Sequence, residues 1–202
     1  MINTIIFDMG NVLIDFRWRA LYEEMGLFGE EFEKMANATT CNPFWNEFDR
    51  GVLTDEEMFE GFVKLEPSME KEIRRFFYEE FHGLLREYDY SKEWIRKLKK
   101  NGYRVLFLSN FSKKALRECA DQLGYMKEGD GAVLSCEVKM IKPDEEIYRY
   151  LLKEYGVNPQ EAGFIDDTEK NIETARRLNI NGIVFESKEQ AEEELRKLGV
   201  KI

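Results

Sequence analysis

The chain has 202 residues, of which 43% are hydrophobic and 35% are charged, and its formal net charge is −10. These values are typical of a globular protein with one core domain and room for an insertion. The acidic balance argues against a nucleic-acid surface, which would need a basic stripe. No apolar run approaches the ~20 residues that cross a bilayer. No basic segment precedes the first apolar run, so we expect a cytoplasmic protein without membrane or nucleic-acid partners.

Strand-like runs alternate with helical patterns through most of the chain. The predicted strands are Thr4 to Asp8, Tyr103 to Ser109, Ala132 to Ser135, Gly163 to Asp166 and Gly182 to Phe185. This alternation predicts right-handed βαβ units and a mostly parallel sheet. The fold class indicated by the sequence is therefore α/β.

The segment from 16 to 90 differs from the rest of the chain. It contains more than half of the aromatic residues, amphipathic stretches such as Glu70 to His82, and no convincing strand. This pattern predicts a helical subdomain with a small core of its own. We expect it to be inserted into a core domain formed by 1–15 and 91–202.

Asp8 ends the first apolar run and is followed by Gly10. A carboxylate is rarely placed at the end of a core strand unless it is paired or binds a metal. In an open parallel sheet, ligands bind at the carboxyl ends of the strands. The position therefore makes Asp8 a candidate nucleophile or metal ligand.

Further polar residues are expected at the same edge of the sheet. Ser109 and Asn110 end the second strand, Lys142 opens a helix, and Asp166 and Asp167 end the fourth strand. This set of groups suits phosphoryl transfer, in which one carboxylate attacks phosphorus. A hydroxyl, backbone N–H groups and an ammonium can hold the phosphate oxygens. The remaining carboxylates can hold Mg²⁺, which prefers hard oxygen ligands.

The four motifs, in this order and spacing, resemble those of the haloacid dehalogenase-like (HAD) hydrolase superfamily. They are Phe-Asp-Met-Gly-Asn-Val-Leu at 7–13, Leu-Ser-Asn at 108–110, Lys-Pro-Asp at 142–144, and Phe-Ile-Asp-Asp-Thr at 164–168 followed by Asn171. The resemblance spans about residues 1 to 185, and the first, third and fourth motifs are most similar to the bacterial sugar-phosphatase branch that includes α-glucose-1-phosphate phosphatases. It implies a Rossmann-like core with an inserted α-helical cap.

The resemblance also implies roles in catalysis and metal binding. Asp8 would be the nucleophile that forms an aspartyl-phosphate, and its second oxygen would bind Mg²⁺. Gly10 would offer its backbone carbonyl to the metal. Asp167 would ligate Mg²⁺ directly, with Asp166 as a second ligand or as a ligand through water. Asn171 would either pack structurally against Asp167 or orient it.

Phosphate binding is implied for three other residues. Ser109 and the backbone of Asn110 would bind phosphate oxygens. Lys142 would bind phosphate and also restrain the Asp8 carboxylate, so that it acts in both binding and catalysis.

Two positions depart from the superfamily pattern. Most phosphatases of this kind have an aspartate where this chain has Gly10, and that residue contributes general acid–base catalysis of roughly 10²–10⁴ in rate. The sugar-phosphatase branch shares the glycine, so its presence does not imply inactivity. A water, a cap residue or Asp15 could substitute. Lys139 stands where relatives often have a glycine shortly before Lys-Pro.

Several residues of the predicted cap have two possible interpretations. The aromatic side chains could stack on a sugar ring, but their density favours a cap core; they are Trp18, Phe44, Trp45 and Phe48. Arg50 and Gly51 could form a substrate loop at the cap interface, although an ordinary turn is favoured. His82, the single histidine, is interpreted as structural or exposed.

We therefore expect a monomeric, Mg²⁺-dependent phosphatase acting on a small phosphorylated metabolite, with a sugar phosphate as the favoured class. A 2-haloacid dehalogenase, in which an aspartate attacks carbon and no general acid is needed, is a competing interpretation. Gly10 fits that chemistry, but the pair Asp166 and Asp167 does not. The chain could also be a phosphotransferase, or a non-catalytic protein that binds Mg²⁺ and a phosphorylated ligand.

Overall fold

The fold is described by a computed structural model that covers residues 1–202. Seven strands form a five-stranded parallel sheet in the order β5-β4-β1-β6-β7 and a two-stranded antiparallel ribbon of β2 and β3. The strands are β1 (Thr4–Phe7), β2 (Ile14–Phe16), β3 (Leu85–Glu87), β4 (Arg104–Ser109), β5 (Gly131–Leu134), β6 (Ala162–Asp166) and β7 (Asn181–Val184). The predicted α/β class and parallel sheet are confirmed.

Eleven α-helices connect and cover the strands. They are α1 (Trp18–Glu24), α2 (Gly29–Ala38), α3 (Trp45–Arg50), α4 (Asp55–Leu65), α5 (Glu70–Arg75), α6 (Ser91–Lys100), α7 (Lys113–Glu118), α8 (Ser135–Val138), α9 (Glu145–Glu154), α10 (Glu169–Arg177) and α11 (Lys188–Lys197). None of these helices combines the length and the apolar character required to cross a membrane.

Strand β1 lies at the centre of the parallel sheet. Its residues Ile5, Ile6 and Phe7 are at most 1% exposed, as expected of a strand covered on both faces. Phe7 lies in register with Phe107 on β4 and Ile165 on β6. The residues that follow these positions therefore meet at one edge of the sheet.

The sequence predicts no strand in the segment 16–90, and this prediction was wrong near both ends of the segment. Phe16 pairs with Leu85, and Ile14 pairs with Glu87, in the ribbon of β2 and β3. Each of these strands has three residues, which is too short to produce a recognisable alternation in the sequence. The ribbon joins the chain entering the helical segment to the chain leaving it. The division into a core of 1–15 and 91–202 and a cap of 16–90 stays a prediction.

The amphipathic segment from 70 to 82 is not one regular α-helix. Helix α5 continues into a π-helical turn, Phe76–Glu80, and then a 3₁₀ turn, Phe81–Leu84. The wider π turn, with its i to i+5 spacing, brings the rings of Phe76 and Phe81 to 5.5 Å between centroids. Phe76, Phe77 and Phe81 are all fully buried. The aromatic residues of this segment thus build an interior, as the sequence favours.

Candidate active site

Asp8 lies directly after β1 and is 8% exposed. Its Oδ1 atom accepts hydrogen bonds from the Met9 backbone N–H at 2.7 Å and from the Ser109 hydroxyl at 2.7 Å. The Lys142 ammonium lies 2.9 Å from the same oxygen. Because all three contacts are made to Oδ1, the carboxylate is held in one orientation while Oδ2 has no protein hydrogen bond.

Lys142 is buried between two carboxylates. Its Nζ atom lies 2.6 Å from Asp166 Oδ2 and 2.9 Å from Asp8 Oδ1. The side chain of Asn110 fixes the Lys142 backbone, accepting from its N–H at 2.8 Å and donating to its carbonyl at 3.0 Å. Sequence reasoning considered only the Asn110 backbone, so this side-chain contact adds a positioning role.

The two aspartates that follow β6 differ in environment. Asp166 is fully buried and accepts from the Thr168 backbone N–H at 2.8 Å and from Asn171 Nδ2 at 3.0 Å. Asp167 is half-buried and accepts from Asn11 Nδ2 at 2.9 Å. Asn171 was expected beside Asp167, but the first turn of α10 directs its amide to Asp166 instead.

Three carboxylates meet at this edge of the sheet. One oxygen each from Asp8, Asp166 and Asp167 lies within 4.8 Å of the others. Carboxylate oxygens are the ligands that Mg²⁺ prefers, and a cation would relieve the repulsion among three acidic groups, of which only Asp8 and Asp166 contact Lys142. The donor set therefore fits a magnesium ion. Gly10 lines the adjoining cavity, where its carbonyl could add a ligand.

Burial and charge shift the ionisation of the central pair. Desolvation raises the pKa of Asp8 to about 7, with Lys142 opposing the rise and Asp166 adding to it. For Lys142, burial acts to lower the pKa, but Asp166 and Asp8 outweigh it and the pKa is raised. The ammonium is thus kept charged by the two carboxylates on either side of it.

The site opens into a cavity of about 210 Å³ between the sheet edge and the helical segment. Asp8, Gly10 and Asp167 line it from the strand ends, while Trp45 and Asp49 line it from α3. A cavity of this size, lined by both apolar and polar side chains, suits a small ligand.

The other candidate residues from the helical segment do not line the cavity. The ring of Phe44 packs 5.7 Å from that of Phe62, and the ring of Phe48 packs 5.9 Å from that of Phe81, so these aromatics pack within the helical segment, as the sequence favours. His82 is exposed. Trp18 packs 5.6 Å from Tyr22, away from the cavity lining.

Lys139 takes the conformation that a glycine would favour. It ends α8 with φ of 63°, in the left-handed region. Its ammonium donates to the Cys136 carbonyl at 2.9 Å and also to the Gly51 carbonyl. These contacts offset the cost of the backbone conformation, so the lysine preserves the turn before Lys142.

Asp49 and Asn11 are site residues that sequence reasoning missed. Asp49 lies four residues after Trp45 on α3, a spacing that places both side chains on the same face of a helix. That spacing was the available signal, but only the packing of α3 over the strand ends shows that this face meets Asp8.

Comparisons with known proteins show what the chain is similar to. The sequence model of the haloacid dehalogenase-like hydrolases matches residues 2–179. A D-ribitol-5-phosphate phosphatase of Bacteroides thetaiotaomicron is 27% identical over 191 residues, which cover 88% of this chain and 89% of the relative. Drimenol cyclase drtB of Aspergillus calidoustus is 26% identical over 96% of this chain, but the chain spans only 36% of that relative.

A similar solved structure is a wild-type HAD family enzyme of Bacteroides thetaiotaomicron in complex with magnesium and inorganic phosphate. It has a TM-score of 0.72 and 26% identity, and the match covers 93% of this chain and 96% of that chain. The family match extends over most of the chain and includes all four motifs. The chain therefore belongs to the haloacid dehalogenase-like hydrolases.

Proposed function

We propose that the protein is a Mg²⁺-dependent phosphatase that hydrolyses a small phosphorylated metabolite through an aspartyl-phosphate on Asp8. The observation that carries the proposal is the cluster of Asp8, Asp166 and Asp167, whose oxygens lie within 4.8 Å of one another beside the Lys142 ammonium. A nucleophile, a cation site and a fixed positive charge are the elements that phosphoryl transfer requires.

Asp8 is well placed to act as the nucleophile. Its Oδ1 atom accepts from the Met9 backbone N–H and lies beside the Lys142 ammonium, so the carboxylate loses little further freedom when a phosphoryl group binds. The remaining oxygen is available for attack. Burial keeps bulk water from this strand end, which strengthens each electrostatic contact with the developing charge.

Phosphate and metal would be held by separate groups of residues. Ser109, the Asn110 backbone and Lys142 would bind phosphate oxygens, since the Ser109 hydroxyl can rotate from Asp8 to a ligand. Mg²⁺ would be held by the carboxylates of Asp8, Asp166 and Asp167 and by the Gly10 carbonyl. The ion would supply positive charge that offsets the repulsion between an anionic phosphate and an anionic nucleophile.

The cavity and the relatives support a proposal for the substrate class. A cavity of about 210 Å³ favours a small metabolite, and a D-ribitol-5-phosphate phosphatase is among the relatives. We therefore favour a sugar or sugar-alcohol phosphate. A monomeric, cytoplasmic protein without nucleic-acid partners stays a prediction from the sequence.

Dehalogenation is the second candidate, and Gly10 is the observation that favours it. A halide leaves as an anion, so no proton donor is needed at this position. The three-carboxylate cluster argues against it, because concentrated negative charge would repel a haloacid unless a cation is bound. Halide release from 2-haloacids without metal would favour this reaction.

The test is phosphate release from p-nitrophenyl phosphate and a panel of sugar phosphates, with Mg²⁺ and with EDTA. We expect release that requires Mg²⁺ and is lost in Asp8→Asn. Asp121→Asn is a matched control, because Asp121 is exposed and outside the cavity. Activity that persists in EDTA or in Asp8→Asn would refute the proposal.

A further inference from the structure

The cavity at Asp8 is also lined by an acidic residue from the helical segment. Asp49, near the end of α3, lines the same cavity as Asp8, Gly10 and Asp167. It is half-buried. Of the three acidic residues in the lining, Asp8 and Asp167 belong to the carboxylate cluster, whereas Asp49 has no assigned role.

The position of Asp49 is fixed by contacts with the core. The Ser135 hydroxyl donates to the Asp49 backbone carbonyl at 2.6 Å and accepts from the Phe111 backbone N–H at 2.8 Å. The Lys139 ammonium donates to the backbone carbonyl of Gly51, two residues further along. These bridges attach the end of α3 to the loop that follows β4 and to both ends of α8, near the residues proposed to bind phosphate.

Gly10, which also lines the cavity, has no side chain that could donate a proton. A Cβ atom built on Gly10 would meet no heavy atom within 4 Å, so the space next to the nucleophile is open. Asp15, a candidate substitute from the sequence, pairs with Arg86 in the ribbon and does not line the cavity. Asp49 is therefore the one carboxyl group that lines this cavity and lies outside the three-carboxylate cluster.

We propose that Asp49 is the general acid and base of the reaction at Asp8, an inference that rests on the proposed phosphatase function. The Asp8 carboxylate forms a bond to phosphorus while the bond from phosphorus to the leaving oxygen breaks. The leaving oxygen keeps that electron pair and takes the proton of Asp49. Water then attacks phosphorus and gives a proton to Asp49, and cleavage of the Asp8–phosphorus bond releases inorganic phosphate.

The environment of Asp49 suits this role. Burial raises its pKa to about 8, the Asp8 carboxylate adds to the rise, and Lys142 and Trp45 oppose it. A carboxyl group with such a pKa carries a proton near neutral pH and can also release it. General acids are most effective when their pKa lies close to the pH at which they work.

The test compares kcat/KM for two substrates that differ in leaving group, because kcat/KM reports the steps up to aspartyl-phosphate formation. Phenolate needs a proton as it leaves, whereas p-nitrophenolate is stable as an anion. We expect Asp49→Asn to lower kcat/KM for phenyl phosphate by about 10²–10⁴ and for p-nitrophenyl phosphate by less than about tenfold. Glu47→Gln, on the same helix but outside the cavity lining, should leave both values unchanged.

A second variant tests the same assignment by rescue. Adding Gly10→Asp to Asp49→Asn places a carboxyl group in the open space beside Asp8, and we expect it to restore part of the lost activity on phenyl phosphate. Thermal melts check that each variant is folded. If Asp49→Asn is unfolded, Asp49→Ser takes its place.

The outcomes separate this inference from the proposed function. Equal losses on the two substrates would assign Asp49 a positioning role and overturn the inference, as would no loss on either. A selective loss in Asp15→Asn instead of Asp49→Asn would also overturn it. Wild-type protein that releases no phosphate, or releases it without Asp8, would refute the phosphatase function itself.

Discussion

At the scale of single residues, Lys142 balances the charge of the buried site. Its side chain is 1% exposed, and it lies between Asp8 and Asp166 at 2.9 and 2.6 Å. A buried ion pair adds little net stability compared with apolar packing, but removal of one partner leaves an uncompensated charge. We therefore expect the lysine to support stability as well as the proposed chemistry.

We expect Lys142→Met to lower the free energy of unfolding by about 3–5 kcal/mol in the absence of Mg²⁺. Urea denaturation measures the change. Lys99→Met is the control, because the contact of Lys99 with Asp130 is about one-third exposed on both sides and such pairs contribute about 0–1 kcal/mol. Equal effects of the two substitutions would show that Lys142 does not balance buried charge.

Asp167 allows metal binding to be tested apart from stability. It is half-buried and lies outside the contacts of Lys142. We expect Asp167→Asn to abolish the stabilisation by Mg²⁺, which amounts to about 2.7 kcal/mol at a concentration 100 times Kd. Thermal melts with and without Mg²⁺ measure it. Glu169→Gln, exposed at the start of α10, should keep the full Mg²⁺ shift, and an unchanged shift in Asp167→Asn would contradict the metal site.

At the scale of elements, the docking of α3 on the core depends on Gly51. This residue ends α3 with φ of 65°, and a Cβ atom there would lie 2.9 Å from the Cβ atom of Cys136. The interpretation of Arg50 and Gly51 as an ordinary turn is thus supported by the conformation. The turn also brings the helical segment against α8.

Gly51→Ala should therefore destabilise the protein and displace α3. Gly102 is a matched control, since it also has a positive φ, of 88°, but a Cβ atom there would meet nothing within 4 Å. We expect Gly102→Ala to cost about 1–2 kcal/mol from the backbone alone, and Gly51→Ala to cost about 1–3 kcal/mol more from the clash. Urea denaturation compares them, and kcat/KM should fall only in Gly51→Ala. An equal loss of unfolding free energy in the two variants would show that α3 shifts to accommodate the added Cβ atom without an energetic cost.

The sequence predicts those elements that are marked by a pattern in neighbouring residues. The end of each central strand is marked by an apolar run that stops at a polar residue, so Asp8, Ser109 and Asp166 could be placed at one edge from these runs alone. The ribbon of β2 and β3 was missed because its strands are three residues long. The π turn after α5 was missed because its periodicity differs little from that of an α-helix over five residues.

At the scale of the whole molecule, the helical segment completes a site that the strand ends alone do not provide. Asp49 is far from Asp8 in sequence, and its approach depends on the bridge from Asp49 through Ser135 to Phe111. No periodicity or motif encodes such a contact. The strand-end half of the site could therefore be predicted from the sequence, but the helical half required the packing of the two parts.

The central claim is that Asp8 becomes phosphorylated during turnover. The most direct measurement is acid quenching of the protein during turnover of p-nitrophenyl phosphate with Mg²⁺, followed by mass spectrometry of the peptide that contains Asp8. The account predicts a phosphoryl group on Asp8 in the wild type and neither adduct nor phosphate release in Asp8→Asn. Continued phosphate release by Asp8→Asn, or a phosphoryl group on another residue, would contradict it.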